Sequence, residues 1–518
     1  MNSDSEFADN LELSLQTVEG NGKKFGNLPQ TSRESMSSTE KLDNMLKRFW
    51  DLETIGIKDD ETPHYDEILQ NIRFDSSARK YEVQLPWKPN HRNLPENYQT
   101  ALRRLMSLRT SLLRRPDDLR RYHEIILDQL SKNIIERCSV REIRGEATPH
   151  IAHHYLPHRD VKRDSETTDL RVVYDASSKP SKTENSLNDC LLKGPSLTPK
   201  LFDVIVRWRV HLVAFICDIQ KAFLQINVAE KDRDVLRFLW FDDPFAENPK
   251  LISYRFTRVV FGLNCSPFLL NGTLRHHLMK HSESHKAEIE KILQCLYADD
   301  FTGGSNTSTE AYALYQLLKR VLIDGGFPIH KFLTNDPELL SLVSDDQVLK
   351  TVKKVLGLLW DAVADEIIFD LTDAIDESDV ITKRVIASVI MKIFDPLGLV
   401  APVVILAKCI LQEAWQTKSN WDAPLPDTLQ RRWREWQESL KSCSKFRVPR
   451  CYVTENVTEY SLFGFCDAST KAFAAVIYLR SVSTSGHVRS MIVASKTRVA
   501  PIRITTKTVK DEKKCGLS

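Results

Sequence analysis

The sequence predicts an α+β chain of more than one domain, and three observations lead there. Its 518 residues exceed what one hydrophobic core usually organises. Between about residue 140 and about residue 335, strand-length apolar runs alternate with amphipathic helices. Farther on, a long helical stretch gives way to strand alternation around Asp467. Apolar residues make up 42% and charged residues 27%, the balance of an ordinary globular chain. The formal net charge is only +2, so a surface for nucleic acid has to be local. No apolar run reaches the ~18 residues of a membrane-spanning helix, and no membrane partner is expected. The start, "MNSDSEFADN", lacks the basic opening and apolar centre of a signal peptide. Ten cysteines, none in a C-x-x-C pair, fit a reduced, intracellular chain without a cysteine zinc site.

Taken in order, residues 1–41 read as a disordered acidic tail rich in Ser, Asn, Thr and Glu. Residues 42–139 form a helical, basic region. Its segment "LRRLMSLRTSLLRRPDDLRR", 102–121, sets seven arginines against Asp117 and Asp118. Alone this is a solvated helix face; next to a nucleic-acid enzyme it competes as a phosphate contact. "PHIAHHYLPH" gathers His150, His153, His154 and His158. Pro149 and Pro157 exclude a regular helix through them, so a strand with partly exposed histidines is expected rather than a metal site. "HLVAFICDIQ", 211–220, is a continuous apolar run of buried-strand length that ends on Asp218. "CSPFLLNGTLRHHL", 265–278, opens a helix, with Ser266 as cap and Pro267 in the first turn. "LQCLY" and "FTGGS" flank Asp299 and Asp300 like the strands of a hairpin. Thr307 and Glu310 then form a capping-box pattern, and the helix they open ends at Gly325-Gly326.

Three aspartates need one explanation. If the Asp218 strand and the Asp299–Asp300 hairpin are neighbours in a sheet, their carboxylates converge at one edge. Such a cluster is costly unless cations neutralise it. Mg²⁺ is hard, prefers oxygen, and binds a few carboxylates together with substrate phosphates. Two such ions activate a 3′-hydroxyl and stabilise a leaving pyrophosphate. A solvated Asp-Asp turn is the simpler alternative for so short a motif.

The surroundings carry a resemblance. "YADD", 297–300, resembles the Tyr-x-Asp-Asp hairpin of reverse transcriptases, and "CDIQKAFLQI", 217–226, their strand bearing the first catalytic Asp. "FGLNCSPFLLN", 261–271, resembles their Gly-x-x-x-Ser-Pro segment, and "LRVVYDASSK", 170–179, their fingers motif. All four occur in the family's order. With "FWDLETIGI" and "DPLGLVAPV" added, the chain resembles the polymerase polyprotein of Bel/Pao long-terminal-repeat retrotransposons from about residue 45 to about residue 500.

The resemblance implies a right-hand polymerase. It has fingers and a ferredoxin-like palm over 140–335, and a primer grip, thumb and connection over 336–458. A truncated, ribonuclease H-like α/β segment follows over 459–518. Asp218, Asp299 and Asp300 would hold two Mg²⁺ ions, with Mn²⁺ as a substitute. Arg171, with Lys162 or Arg163, would neutralise the triphosphate. Ile219 and Gly262 would line the nucleotide, and Phe223 would lie under its sugar and exclude a 2′-hydroxyl. Core packing of Phe223 is nearly as good a reading. Ser266, Pro267, Tyr297 and Gly357 would meet template or primer. Phe261 stands where many retroviral enzymes carry Gln, so one hydrogen bond to the sugar is absent. Asp467 resembles the first metal ligand of ribonuclease H; a second is expected on a helix after Pro501, where Asp511 or Glu512 could stand in, but their Lys-rich surroundings lack the apolar stripe that would dock such a helix. Trp415, Trp421, Trp433 and Trp436 are expected mostly in the core.

The reading is therefore an RNA-directed DNA polymerase. Its partners are an RNA template, a DNA primer-template and deoxynucleoside triphosphates, along with the rest of a retroelement polyprotein. Its place is the cytoplasm, a virus-like particle or the nucleus. The alternatives are an inactive nucleic-acid-binding relic and a ribonuclease H-type nuclease.

Overall fold

The computed structural model describes residues 66–89, 94–138, 153–162, 170–343 and 351–502. The acidic tail, "LDNMLKRFWDLETIGI", His150 and Arg163 lie outside the described residues.

A βαββαβ unit sits at the centre. Its strands are Val213–Ile219, Leu296–Tyr297, Asp300–Ser305 and Ile329–Thr334, all antiparallel to their neighbours. In space they run fourth, first, third, second, the ferredoxin-like order. The first strand is apolar up to Asp218 because both its faces are buried there. Val213, Phe215, Cys217 and Ile219 enter one core, while Ala214 and Ile216 enter another.

The helix Ser266–Met279 has Pro267 in its first turn, as expected. Ser266 does not cap it: the cap position is Cys265, and Ser266 Oγ donates instead to the Val260 carbonyl at 2.6 Å. "LQC" belongs to the helix Lys286–Cys295, which leaves only Leu296–Tyr297 as strand before the aspartates. The helix Ser308–Asp324 is capped by Thr307, whose Oγ accepts from the Glu310 amide. The reciprocal half of the box is replaced by Ser305 Oγ donating to Glu310 at 2.6 Å.

The basic segment is two helices, Tyr98–Leu113 and Pro116–Ser131, because Pro116 cannot continue the first. Several of its arginines are engaged by other parts of the chain. Arg104 pairs with Asp175 at 2.7 Å, and Arg115 with Asp118 at 2.7 Å and Asp160 at 3.0 Å. Arg109 donates to the carbonyls of Pro244 and Ala246. The segment thus braces the two-stranded ribbon His158–Lys162 and Leu170–Tyr174.

The chain's second half packs on the other face of the central sheet. The strands Val352–Val355, Leu358–Asp361, Glu366–Asp370 and Lys445–Pro449 form a sheet in that order. Arg209 and Arg450, both fully buried, clamp it to the helix Leu201–Val210. Arg450 donates to Asp365 and to the Trp208 carbonyl, and Arg209 Nε to the Arg450 carbonyl at 2.8 Å. The helices Lys383–Lys392, Ala401–Gln416 and Asp427–Ser442 follow. Trp421, Trp433 and Trp436 are in the core as expected, and Trp415 is partly buried against it. A three-stranded meander closes the described chain, over Val457–Ala468, Ala472–Ser483 and Val488–Val499. It is seated by the loop before Ala401, where Ser495 N donates to the Leu397 carbonyl at 2.8 Å.

The histidine cluster departs from expectation. His154 and His158 are buried rather than partly exposed. His158 bonds the Tyr122 hydroxyl through Nδ1 and the Leu239 carbonyl through Nε2, so the ring is neutral with its proton on Nε2. Burial pushes its pKa down to about 4. The unfolded ring, near 6.5, binds a proton that the folded ring refuses. Stability present above pH ~6.5 is therefore lost as the pH falls toward about 4, by roughly 3 kcal/mol in full. Urea midpoints should fall between about pH 7 and about pH 5. His158→Gln should be less stable at neutral pH and show a shallower decline.

Candidate active site

Sheet register brings the three aspartates together. Asp300 lies directly opposite Asp218, and Phe301 opposite Cys217. The turn is two residues long, Ala298-Asp299, between the paired Tyr297 and Asp300. Ala298 takes a left-handed φ of 56°, costing roughly 1–2 kcal/mol for a residue with a Cβ. The Asp299 carbonyl accepts from Ile219 N at 2.8 Å, which ties the turn to the end of the central strand. Because the residues flanking Asp218 and Asp300 point into the first core, the two carboxylates share the opposite face.

The electrostatics follow from that crowding. Burial, Asp218 and Asp299 push the Asp300 carboxyl up to about 6. Burial and Asp218 raise Asp299 as well. Two lysines that sequence reasoning missed offset the charge. Lys331 Nζ donates to Asp218 Oδ2 at 2.7 Å, with His330 Nε2 at 3.4 Å from the same oxygen. Lys353, on the strand Val352–Val355, is half-buried; burial lowers its pKa, while Asp300 and Asp218 pull it back up. A signal for Lys331 was present in "IHKFLT". The apolar residues Ile329, Phe332 and Leu333 break strict alternation there, as a bulge requires.

Among the described residues, no three His, Cys, Asp or Glu side chains are gathered closely enough to hold a metal ion between them. The chemistry of the aspartates still fits Mg²⁺. All three offer carboxylate oxygen, two are strained toward protonation by their neighbours, and lysines supply only part of the missing positive charge.

The remaining expected site residues lie on several different elements. Phe223 is 8% exposed on a 3₁₀ turn, and its ring meets Phe261 edge-on at 4.5 Å. Phe261 itself is 59% exposed, so the residue in place of Gln presents an apolar ring to solvent. Ile219 is buried. Tyr297 is half-buried opposite Asp300, and Ser266 is buried beside Pro267 at the helix start. Arg171 is exposed on the ribbon, opposite Val161. Lys162 is engaged by Asp118 at 2.9 Å, which joins it to Arg115. Gly357 forms the turn of the hairpin Val352–Asp361 with a φ of 92°, and a Cβ there would strike the Phe394 ring. Asp467 is exposed on its strand opposite Ala474, and its Oδ1 accepts from the Ala468 amide.

Comparison with known proteins gives the families of the segments around this site. Residues 194–332 match the reverse transcriptase (RNA-dependent DNA polymerase) family, a span that contains all three aspartates. Residues 382–515 match the Pao retrotransposon-like RNaseH-like domain. The chain thus carries a reverse transcriptase domain and, after it, the RNaseH-like domain of a Pao-type retrotransposon. The second match runs on to residue 515, past the limit near residue 500 drawn from the sequence. No curated protein matches the chain. Among solved structures it is similar to a foamy viral protease-reverse transcriptase in complex with dsDNA. The two share 13% identity over 76% of this chain and 70% of that one, at a TM-score of 0.46. It is also similar to the foamy viral enzyme in complex with an RNA/DNA hybrid, at 11% identity over 90% and 57% of the two chains and a TM-score of 0.45.

Gly262 lies against the end of the ribbon. Its φ is 106°, and a Cβ there would lie 2.6 Å from the Tyr174 carbonyl oxygen. Both the strained φ and the backbone clash oppose any side chain. Gly262→Ala should lower stability by about 1–3 kcal/mol in urea unfolding, with the larger loss in Gly262→Val.

Proposed function

We propose that this chain is an RNA-directed DNA polymerase that extends a DNA 3′-end on an RNA or DNA template. The observation that carries the proposal is the register of Asp218 against Asp300, with Asp299 tied to the same strand end. Asp218 and Asp299 would hold two Mg²⁺ ions, and Asp300 would hold or tune them. Bound there, the metals would supply the charge that activates the attacking hydroxyl and stabilises the leaving pyrophosphate. Lys331 and Lys353 offset part of the carboxylates' negative charge. Arg171, exposed and away from the carboxylates in sequence, would meet triphosphate oxygens. Phe223, held by Phe261, would form an apolar floor under the sugar.

In primer extension on an RNA template with Mg²⁺, Asp299→Asn should lose at least about a thousandfold in rate, since Asn keeps the shape and loses the charge. Its thermal unfolding should stay near that of the unmodified chain or rise, because one repelling carboxylate is gone. Extension at an unmodified rate would end the metal-site reading. Phe223→Val should raise ribonucleotide incorporation relative to deoxyribonucleotide, read from single-nucleotide insertion; an unchanged ratio would return Phe223 to core packing alone.

A further inference from the structure

The strand Ile329–Thr334 is irregular beside Asp218. His330 faces Asp218 and Leu333 faces Ile216, so the strand Ile329–Thr334 holds one more residue than its partner between those pairs. The extra residue is accommodated at Lys331, which takes a left-handed φ of 57°. Without it, alternation would send Lys331 to the face opposite His330. With it, both residues reach Asp218 Oδ2, and Phe332 still enters the core at 1% exposure. A bulge that strains a lysine backbone and delivers its ammonium to one carboxylate oxygen is a device for aiming.

We propose that Lys331 is a positioning residue whose ammonium and a divalent cation draw on the same Asp218 carboxylate, so that the bulge sets how tightly this site takes metal before nucleotide arrives. The proposal rests on the polymerase reading of the three aspartates. A fixed positive charge at Oδ2 orients Asp218 and opposes a second cation at that oxygen. Deoxynucleoside triphosphate, which brings its own negative charge, would then recruit the metals together with itself. His330 Nε2 lies 3.4 Å from the same oxygen, and Lys353 attracts Asp300 and Asp218 from a separate strand.

The test is direct binding of Mn²⁺ to the full chain without nucleotide, followed by paramagnetic resonance or calorimetry. Lys331→Asn suits the left-handed backbone and removes the charge, so folding should survive. It should bind Mn²⁺ more tightly, on the order of tenfold. Lys331→Arg should keep the weak affinity of the unmodified chain. Equal Mn²⁺ affinity in the unmodified chain and Lys331→Asn would overturn the role of Lys331, while loss of that binding in Asp218→Asn would keep the metal-site reading intact. Absence of Mn²⁺ binding from every variant and from the unmodified chain would overturn both.

Discussion

The antiparallel pairing of Val213–Ile219 with Asp300–Ser305 is the constraint on which this molecule depends. The strand is buried on both faces, so its side chains have no freedom to exchange sides. A slip by one residue would send Phe215 and Cys217 out of one core and aim Asp218 into it. Hydrophobic burial on two faces therefore fixes the position of a charge at the strand's end. The cost of that charge is met locally by Lys331 and Lys353, which come from two different strands.

The rest of the fold supports this sheet from two sides. On one side the helices Ser266–Met279 and Ser308–Asp324 complete the βαββαβ unit and fill the first core. On the other, two buried arginines bind the later strands to the helix Leu201–Val210. Burial lowers the Arg209 pKa to about 10, so its carbonyl partners and the Tyr452 ring are needed to hold it. Breaking either arginine contact would leave a cation uncompensated in the interior. The basic helices near the start of the described chain use their charge similarly. Arg115, Asp118, Asp160 and Lys162 form one ion-pair chain that anchors the ribbon carrying Arg171.

Much of this was legible because it depends on local pattern. The apolar run before Asp218 has the length of a buried strand and is one, and Gly325-Gly326 stands at the end of a helix as read. The four motifs around the aspartates agreed in order, and the matched reverse transcriptase span contains three of them. Other features were misread where local propensity lost to tertiary contact. Ser266 had the composition of a cap but found a better partner in the Val260 carbonyl. His154 and His158 looked like surface residues because histidine is polar, yet each found a carbonyl or hydroxyl inside the core.

By itself, then, the sequence determined most of the segments that become strands and helices, and singled out three aspartates within them. Periodicity, turn residues and short motifs are properties of neighbours along the chain. Only the tertiary structure decided that Asp300 stands opposite Asp218, that a bulge turns Lys331 onto the same oxygen, and that Lys353 approaches from a separate sheet. Those relations join residues that lie from tens of positions to more than a hundred apart, as with Asp218 and Lys331. They are set by the register that buries both faces of one strand, a quantity no single segment encodes.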